Sequence, residues 1–307
     1  MTTISTPTRH HPVAARSTVV IASAWLGTLL LSRLPQIILS ELGVISPSAW
    51  SVWWWIIMGT ALFALTYVWA LMSPLRGYFL VLTMIYVVTM VRLLLEQTSI
   101  WVSWFGPDRS WVASFFGERL GIILLALGLV GVLVLLGNKS RDYFLTLGDV
   151  NAPALGMRLP WRENPLPWTI AAPLVTLPLT ALITAGILVM NTLARVTIAE
   201  VILLLPAVFI FALMNAFGEE MAYRAVPLSQ LWQVVGKKQA IWMTALWFGI
   251  GHYYGGISFG VMGAVYLTLV AVLFGKAMLE TKGLAMPVFM HLWGDVVLYF
   301  FLALGTV

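Results

Sequence analysis

Apolar runs of roughly twenty residues follow one another along almost the whole chain, at about 19–39, 50–72, 78–97, 119–137, 168–190, 199–222, 240–256, 259–279 and 284–303. A helix of about 20 residues, rising 1.5 Å per residue, covers the roughly 30 Å of bilayer hydrocarbon. Lipid offers no hydrogen-bond partners, so such segments must satisfy their own backbone groups, and helices do so. Charge points the same way: 9% of the 307 residues are charged, whereas a soluble chain carries about 25%. The expected fold is all-α, a polytopic membrane helix bundle with about eight or nine transmembrane helices and no room for a sizeable soluble domain.

Other classes fall away on composition. The chain has no cysteine, which removes disulfides, iron–sulfur clusters and thiol nucleophiles. Its net charge of +5 comes from basic residues placed between apolar runs, not from one patch, so a nucleic-acid partner is not expected. Arg9 and Arg16 followed by Val19–Leu31 have the look of a secretion signal. No small-residue cleavage site follows, so this stretch reads as a first membrane helix. With the N-terminus in the cytoplasm, Arg9, Arg16, Arg76, Lys139, Arg141, Arg158, Arg162, Lys237, Lys238, Lys276 and Lys282 fall inside, and Arg109, Arg119 and Arg195 fall outside. That asymmetry sets the orientation, and a cell membrane is the expected location. Tryptophans at run ends (Trp50, Trp53, Trp54, Trp101, Trp104, Trp111, Trp161, Trp168) read as headgroup-level anchors. The Pro- and Gly-rich connection from Asn138 to Pro167 separates a front part, residues 1–150, from a back part, residues 168–303.

The back part holds most of the ionisable residues inside apolar runs: Glu219, Glu220, Arg224, His252, His291 and Asp295. Each is costly in hydrocarbon unless paired or hydrated, which makes each a functional candidate. On a helix, Glu220 and Arg224 share a face at i, i+4 and can neutralise one another. Glu219 then faces about 100° away without that cation, suited to accept a proton. Phe248 and His252 share a face, and Gly249, Gly251, Gly255 and Gly256 permit close approach by a helix or a substrate backbone. His291 and Asp295, again i and i+4, let a carboxylate orient an imidazole, or let both hold a water or metal. Because Arg224 and Lys237–Lys238 read as the cytoplasmic end, water and substrate are expected to enter from that side.

Taken together, Glu219-Glu220-x-x-x-Arg224, Phe248-x-x-x-His252 and His291-x-x-x-Asp295, in that order, resemble the CPBP family of membrane proteases, which includes the type II CAAX prenyl proteases and the bacterial Abi proteins. The likeness covers roughly residues 168–303, and the front helices carry no matching motif. The resemblance implies an intramembrane endopeptidase acting on a peptide or membrane-protein substrate. By it, Glu219 activates a water, His252 helps position it, and His291 and Asp295 complete the site and stabilise the oxyanion. Glu220, Arg224 and Phe248 would be structural support. The final acid is Asp where the prenyl proteases often have Asn, which weakens any assignment of a prenylated substrate. Metal dependence stays open: Glu219, His252 and His291 form a ligand set for a divalent metal such as zinc, yet His-Glu-x-x-His is absent. Two rivals stand beside the protease: a non-proteolytic scaffold or immunity-type member of the family, and a proton-coupled transporter using the same groups as a relay.

Overall fold

The computed structural model describes residues 17–46, 51–190, 198–255 and 260–304. Arg9, Arg16, Trp50, Arg195 and Gly256, used above for orientation, anchoring and packing, lie outside them. The chain runs through α1 (Thr18–Leu30), α2 (Leu34–Glu41), α3 (Val52–Val68), α4 (Arg76–Glu96), α5 (Ser99–Phe105), α6 (Trp111–Leu135), α7 (Trp168–Met190), α8 (Ile198–Glu219), α9 (Val226–Val235), α10 (Lys237–Gly251), α11 (Gly260–Thr281) and α12 (Ala285–Leu304). Among the described residues every regular element is helical, apart from one isolated antiparallel bridge between Pro153 and Pro167.

Among the described residues, five stretches are long and apolar enough to cross a membrane: 70–96, 111–135, 202–235, 260–281 and 285–304. A sixth is gained if α1 and α2, bent by 55° at their junction, count as one span; α3, at 17 residues, is apolar but shorter. The hydropathy count of eight or nine treats all apolar runs alike. The described helices depart from those runs where a run is broken or short, as at the α1–α2 bend. The outer surface is what lipid demands, with Leu135 88%, Leu203 79% and Met262 72% exposed.

The break between α1 and α2 shows how a membrane helix can stop inside a bundle. Its last carbonyls need donors that lipid cannot supply. Leu31 O accepts from Trp247 Nε1 at 2.9 Å and from the Tyr86 hydroxyl, and Ser32 O accepts from Trp55 Nε1 at 3.0 Å. These aromatics also pack on one another: Trp55 stacks on Tyr86 with centroids 5.2 Å apart, and Tyr86 meets Trp247 edge-on at 6.5 Å.

The front and back parts share one core, in which Val20, Leu82 and Leu129 pack with Met221, Met243 and Met278. Helices α10 and α11 approach closely because a Cβ at Gly249 would overlap Thr268 and the Ala264 carbonyl. That glycine serves helix packing, while Gly251 and Gly255 face open space. The 138–167 connection folds back on the α11–α12 turn, where Asp149 N–H donates to Thr281 O at 2.7 Å and Leu284 N–H to Thr146 O at 2.9 Å.

One end of the bundle is basic: Arg141 and Lys282 border one depression with Trp232, and the Lys282 ammonium lies 4.7 Å over the Trp232 ring. Burial and the nearby charge of Lys237 both lower the Lys282 pKa from its ordinary value. The opposite end carries Glu41, whose carboxylate accepts from the Tyr253 hydroxyl at 2.8 Å. By the positive-inside rule the basic end is the one expected on the cytoplasmic side. A chain without native cysteine suits a direct test. Single cysteines at 237 and 282 should react with an impermeant maleimide only when the cytoplasmic side is exposed. Cysteines at 109 and 253 should react in intact cells, and the reverse pattern would invert the orientation.

Candidate active site

Helix α8 ends at Glu219, and Glu220–Ala225 form a π-helical turn before α9. Such a turn inserts an extra residue and re-aims the side chains around it. Its effect is that neighbouring carboxylates meet different surroundings. Glu220 is fully buried, whereas the Glu219 side chain keeps 15% exposure and borders two cavities.

Glu220 forms an ion pair with Arg224, as the i, i+4 spacing predicts. Arg224 does not reach a membrane interface. It is 1% exposed, its guanidinium 5.1 Å from the Phe248 ring centre and 5.3 Å from that of Phe274. Phe248 thereby supports the cation by the attraction of a ring face for positive charge. Glu220 has a second duty that spacing does not reveal: its Oε1 lies 2.8 Å from His291 Nδ1. An ionised carboxylate only accepts, so the ring nitrogen donates. The other ring nitrogen, Nε2, is then turned to the remaining acids, 3.7 Å from Glu219 Oε2 and 3.5 Å from Asp295 Oδ2.

His252 follows the last residue of α10 and borders both cavities with Glu219. Its Nδ1 is 2.9 Å from the Phe248 carbonyl oxygen. A carbonyl can only accept, so Nδ1 carries the proton and Nε2, in the neutral ring, offers a lone pair. Glu219, His252, His291 and Asp295 all line one cavity of about 440 Å³, otherwise walled mostly by apolar side chains such as Leu179, Leu267, Phe274 and Leu298. A mainly apolar cavity with a few convergent polar groups is the usual form of a binding site.

Three further residues join this cluster. Asn215 donates from Nδ2 to Asp295 Oδ2 at 2.9 Å and accepts at Oδ1 from Arg119 Nη1 at 2.7 Å. Arg119 Nη1 also donates to the Tyr299 hydroxyl at 2.5 Å, and its Nη2 pairs with Glu118 at 3.0 Å. Two of them carry a legible signal: Asn215 stands four residues before Glu219, and Tyr299 four after Asp295, so each continues a marked helix face. Arg119 was placed outside because its apolar run begins there, but α6 starts at Trp111 and buries Arg119 two turns in. A front helix thus contributes to the cluster, although its sequence carries no motif.

The candidate metal set fares differently. Among the described residues no three His, Asp or Glu side chains stand where they could hold one ion. Within Glu219, His252 and His291, each Nδ1 is bonded to a protein acceptor, which leaves each Nε2 as the ring atom available to a water or a metal. His291 Nε2 lies 3.7 Å from Glu219 Oε2.

Access also departs from expectation. The 440 Å³ cavity reaches Phe115 and Leu302, and a second of about 250 Å³ reaches Arg33 and Val52. Both run from Glu219 toward the end that carries Glu41 and Tyr253, and neither is lined by Lys237, Lys238 or Lys282. The basic end is closed by packed α9 and the buried Glu220–Arg224 pair, a packing that charge alone does not reveal.

A family model described as type II CAAX prenyl endopeptidase Rce1-like matches residues 201–297. No curated protein and no solved structure matches the chain. The matched segment contains all three motifs, from Glu219 to Asp295. Residues 201–297, about a third of the chain, are thus similar to the Rce1-like type II CAAX prenyl endopeptidases, the family that the three motifs resemble.

Proposed function

We propose that the protein is an intramembrane endopeptidase in which Glu219 activates a water against a peptide carbonyl. The observation that carries this reading is the meeting, in one largely apolar cavity, of a partly accessible carboxylate with two histidines whose Nδ1 atoms are each fixed by an acceptor. His252 Nε2 accepts a hydrogen bond from the water and keeps it in place, and Glu219 takes the water's other proton as the oxygen, still carrying one hydrogen, attacks the carbonyl carbon. The carbonyl becomes an oxyanion. Asp295 in its ionised form has no proton to offer, so the donor to the oxyanion is His291 Nε2–H, with Asp295 and Glu220 balancing the ring's positive charge. Glu219 then delivers its proton to the departing amine, and the peptide bond breaks. Asn215, held by Arg119, fixes Asp295. Every proton in this scheme moves between named side chains and water.

The test is cleavage of membrane-embedded peptides by the purified protein in lipid nanodiscs, with and without a zinc chelator. Cleavage that resists the chelator is expected. Its loss in chelator and recovery on adding zinc would replace the proton-transfer scheme with a metal one. A protein that binds such peptides but never cleaves them would instead be the scaffold of the same family.

A further inference from the structure

We propose that the second cavity is the subsite for a carboxylate carried by the substrate on one side of the scissile bond, with Arg33 as its receptor. The proposal rests on the proteolytic reading above for the position of that bond. Two cavities share one wall, made of Glu219, Phe248 and His252. An extended chain with its reacting carbonyl at Glu219 must therefore place one flank in each. The larger cavity, with Leu179, Leu267, Val270 and Leu298, accepts an apolar flank. The smaller is bounded by Trp55, Tyr86, Tyr223 and Trp247, and its charged group away from the shared wall is Arg33.

Arg33 is set apart from the other arginines of the spanning region. Arg92 pairs with Glu96 at 3.0 Å, Arg119 with Glu118, and Arg224 with Glu220, while Arg76 bonds the Thr66 carbonyl and covers the Tyr67 ring. No described acid stands within ion-pair distance of Arg33. Its guanidinium is exposed and borders the aromatic-walled cavity without a counter-charge, so it can receive a planar anion through two parallel hydrogen bonds. The backbone at the start of α2 offers little in its place. Leu34 N–H is already bonded to Ser32 Oγ at 3.0 Å, and Pro35 has no N–H. The walls that place Arg33 are rigid, because the carbonyls just before it are the ones capped by Tyr86, Trp247 and Trp55.

The carboxylate has two chemical sources, a free C-terminus or an Asp or Glu side chain, and matched peptides separate them. One pair differs only in a C-terminal acid or amide, and a second differs only in Asp or Asn near the cleaved bond. For the protein in nanodiscs, the preferred acid is expected to show a KM about tenfold below its neutral partner. That ratio should fall to near one in Arg33→Gln and recover in part in Arg33→Lys. Discrimination in the first pair identifies a C-terminus, and in the second a side chain. Anisotropy binding of the same peptides to the Glu219→Gln protein reads the subsite without catalysis. If acids bind tighter there while the wild type cleaves nothing, the subsite stands and the protease reading falls. Equal binding of acid and neutral peptides, an unchanged ratio in Arg33→Gln, or a response only to anionic lipid in the nanodisc would overturn the proposal.

Discussion

Glu219→Gln is expected to lower peptide cleavage by about a thousandfold while leaving the thermal midpoint of the detergent-solubilised protein within a few degrees. General-base catalysis by a positioned side chain contributes about 10²–10⁴-fold, and glutamine keeps the shape of glutamate without its ability to take the water's proton. Stability should be spared because Glu219 lies at the margin of the packed interior, 15% exposed and 3.7 Å from its nearest ionic partner. Its removal leaves no deeply buried charge orphaned, since His291 keeps both Glu220 and Asp295. The measurement is single-turnover cleavage of one peptide by both proteins in the same lipid. A variant that still cleaves within tenfold of the wild type would remove Glu219 from the role of base.

Much of this arrangement can be read from spacing alone, and the parts that cannot share a cause. The Glu220–Arg224 pair and the different direction of Glu219 follow from helical geometry over five residues. A face running through His291, Asp295 and Tyr299 is equally local, as is one through Asn215 and Glu219. What escapes is everything that depends on which helix lies opposite. The bond from His291 Nδ1 to Glu220 joins residues 71 apart, and that from Arg119 to Tyr299 joins residues 180 apart. Nothing in either segment encodes the partner. The stop of α1 at Leu31 is hidden for the same reason. An apolar run reads as continuous until one knows that Tyr86 and Trp247 stand ready to donate to its freed carbonyl. Charge counting identifies the basic end of the bundle, but says nothing of which end is hollow. The larger cavity opens where side chains fail to fill the space between α7, α11 and α12, and the smaller one between α3, α4 and α10, a property of packing and not of composition.

Glu220→Gln should have the opposite signature, a large loss of stability. Removing one partner of a buried ion pair typically costs about 3–5 kcal/mol, because the remaining charge stays in a low-dielectric site without compensation. Arg224 is well placed to show the full effect. It is 1% exposed, and among the described residues its charge is met, apart from Glu220, only by the faces of Phe248 and Phe274. Neither of its terminal nitrogens has a hydrogen-bond acceptor beyond that ion pair. The thermal midpoint of the single variant should therefore fall sharply, and expression with it. Adding Arg224→Met removes the stranded cation and fills its volume with an unbranched apolar chain, so the double variant should regain most of the loss. Glutamine at 220 can still accept from His291 Nδ1 through its carbonyl oxygen, so a folded double variant should keep part of its cleavage. The cycle is read as midpoints and cleavage rates for wild type, Glu220→Gln, Arg224→Met and the double. If the double is no more stable than Glu220→Gln, the cation is not what makes that loss severe, and the bond to His291 must carry the stability instead. If Glu220→Gln is as stable as the wild type but inactive, the two neighbouring carboxylates have exchanged roles, with Glu220 the one on which turnover depends.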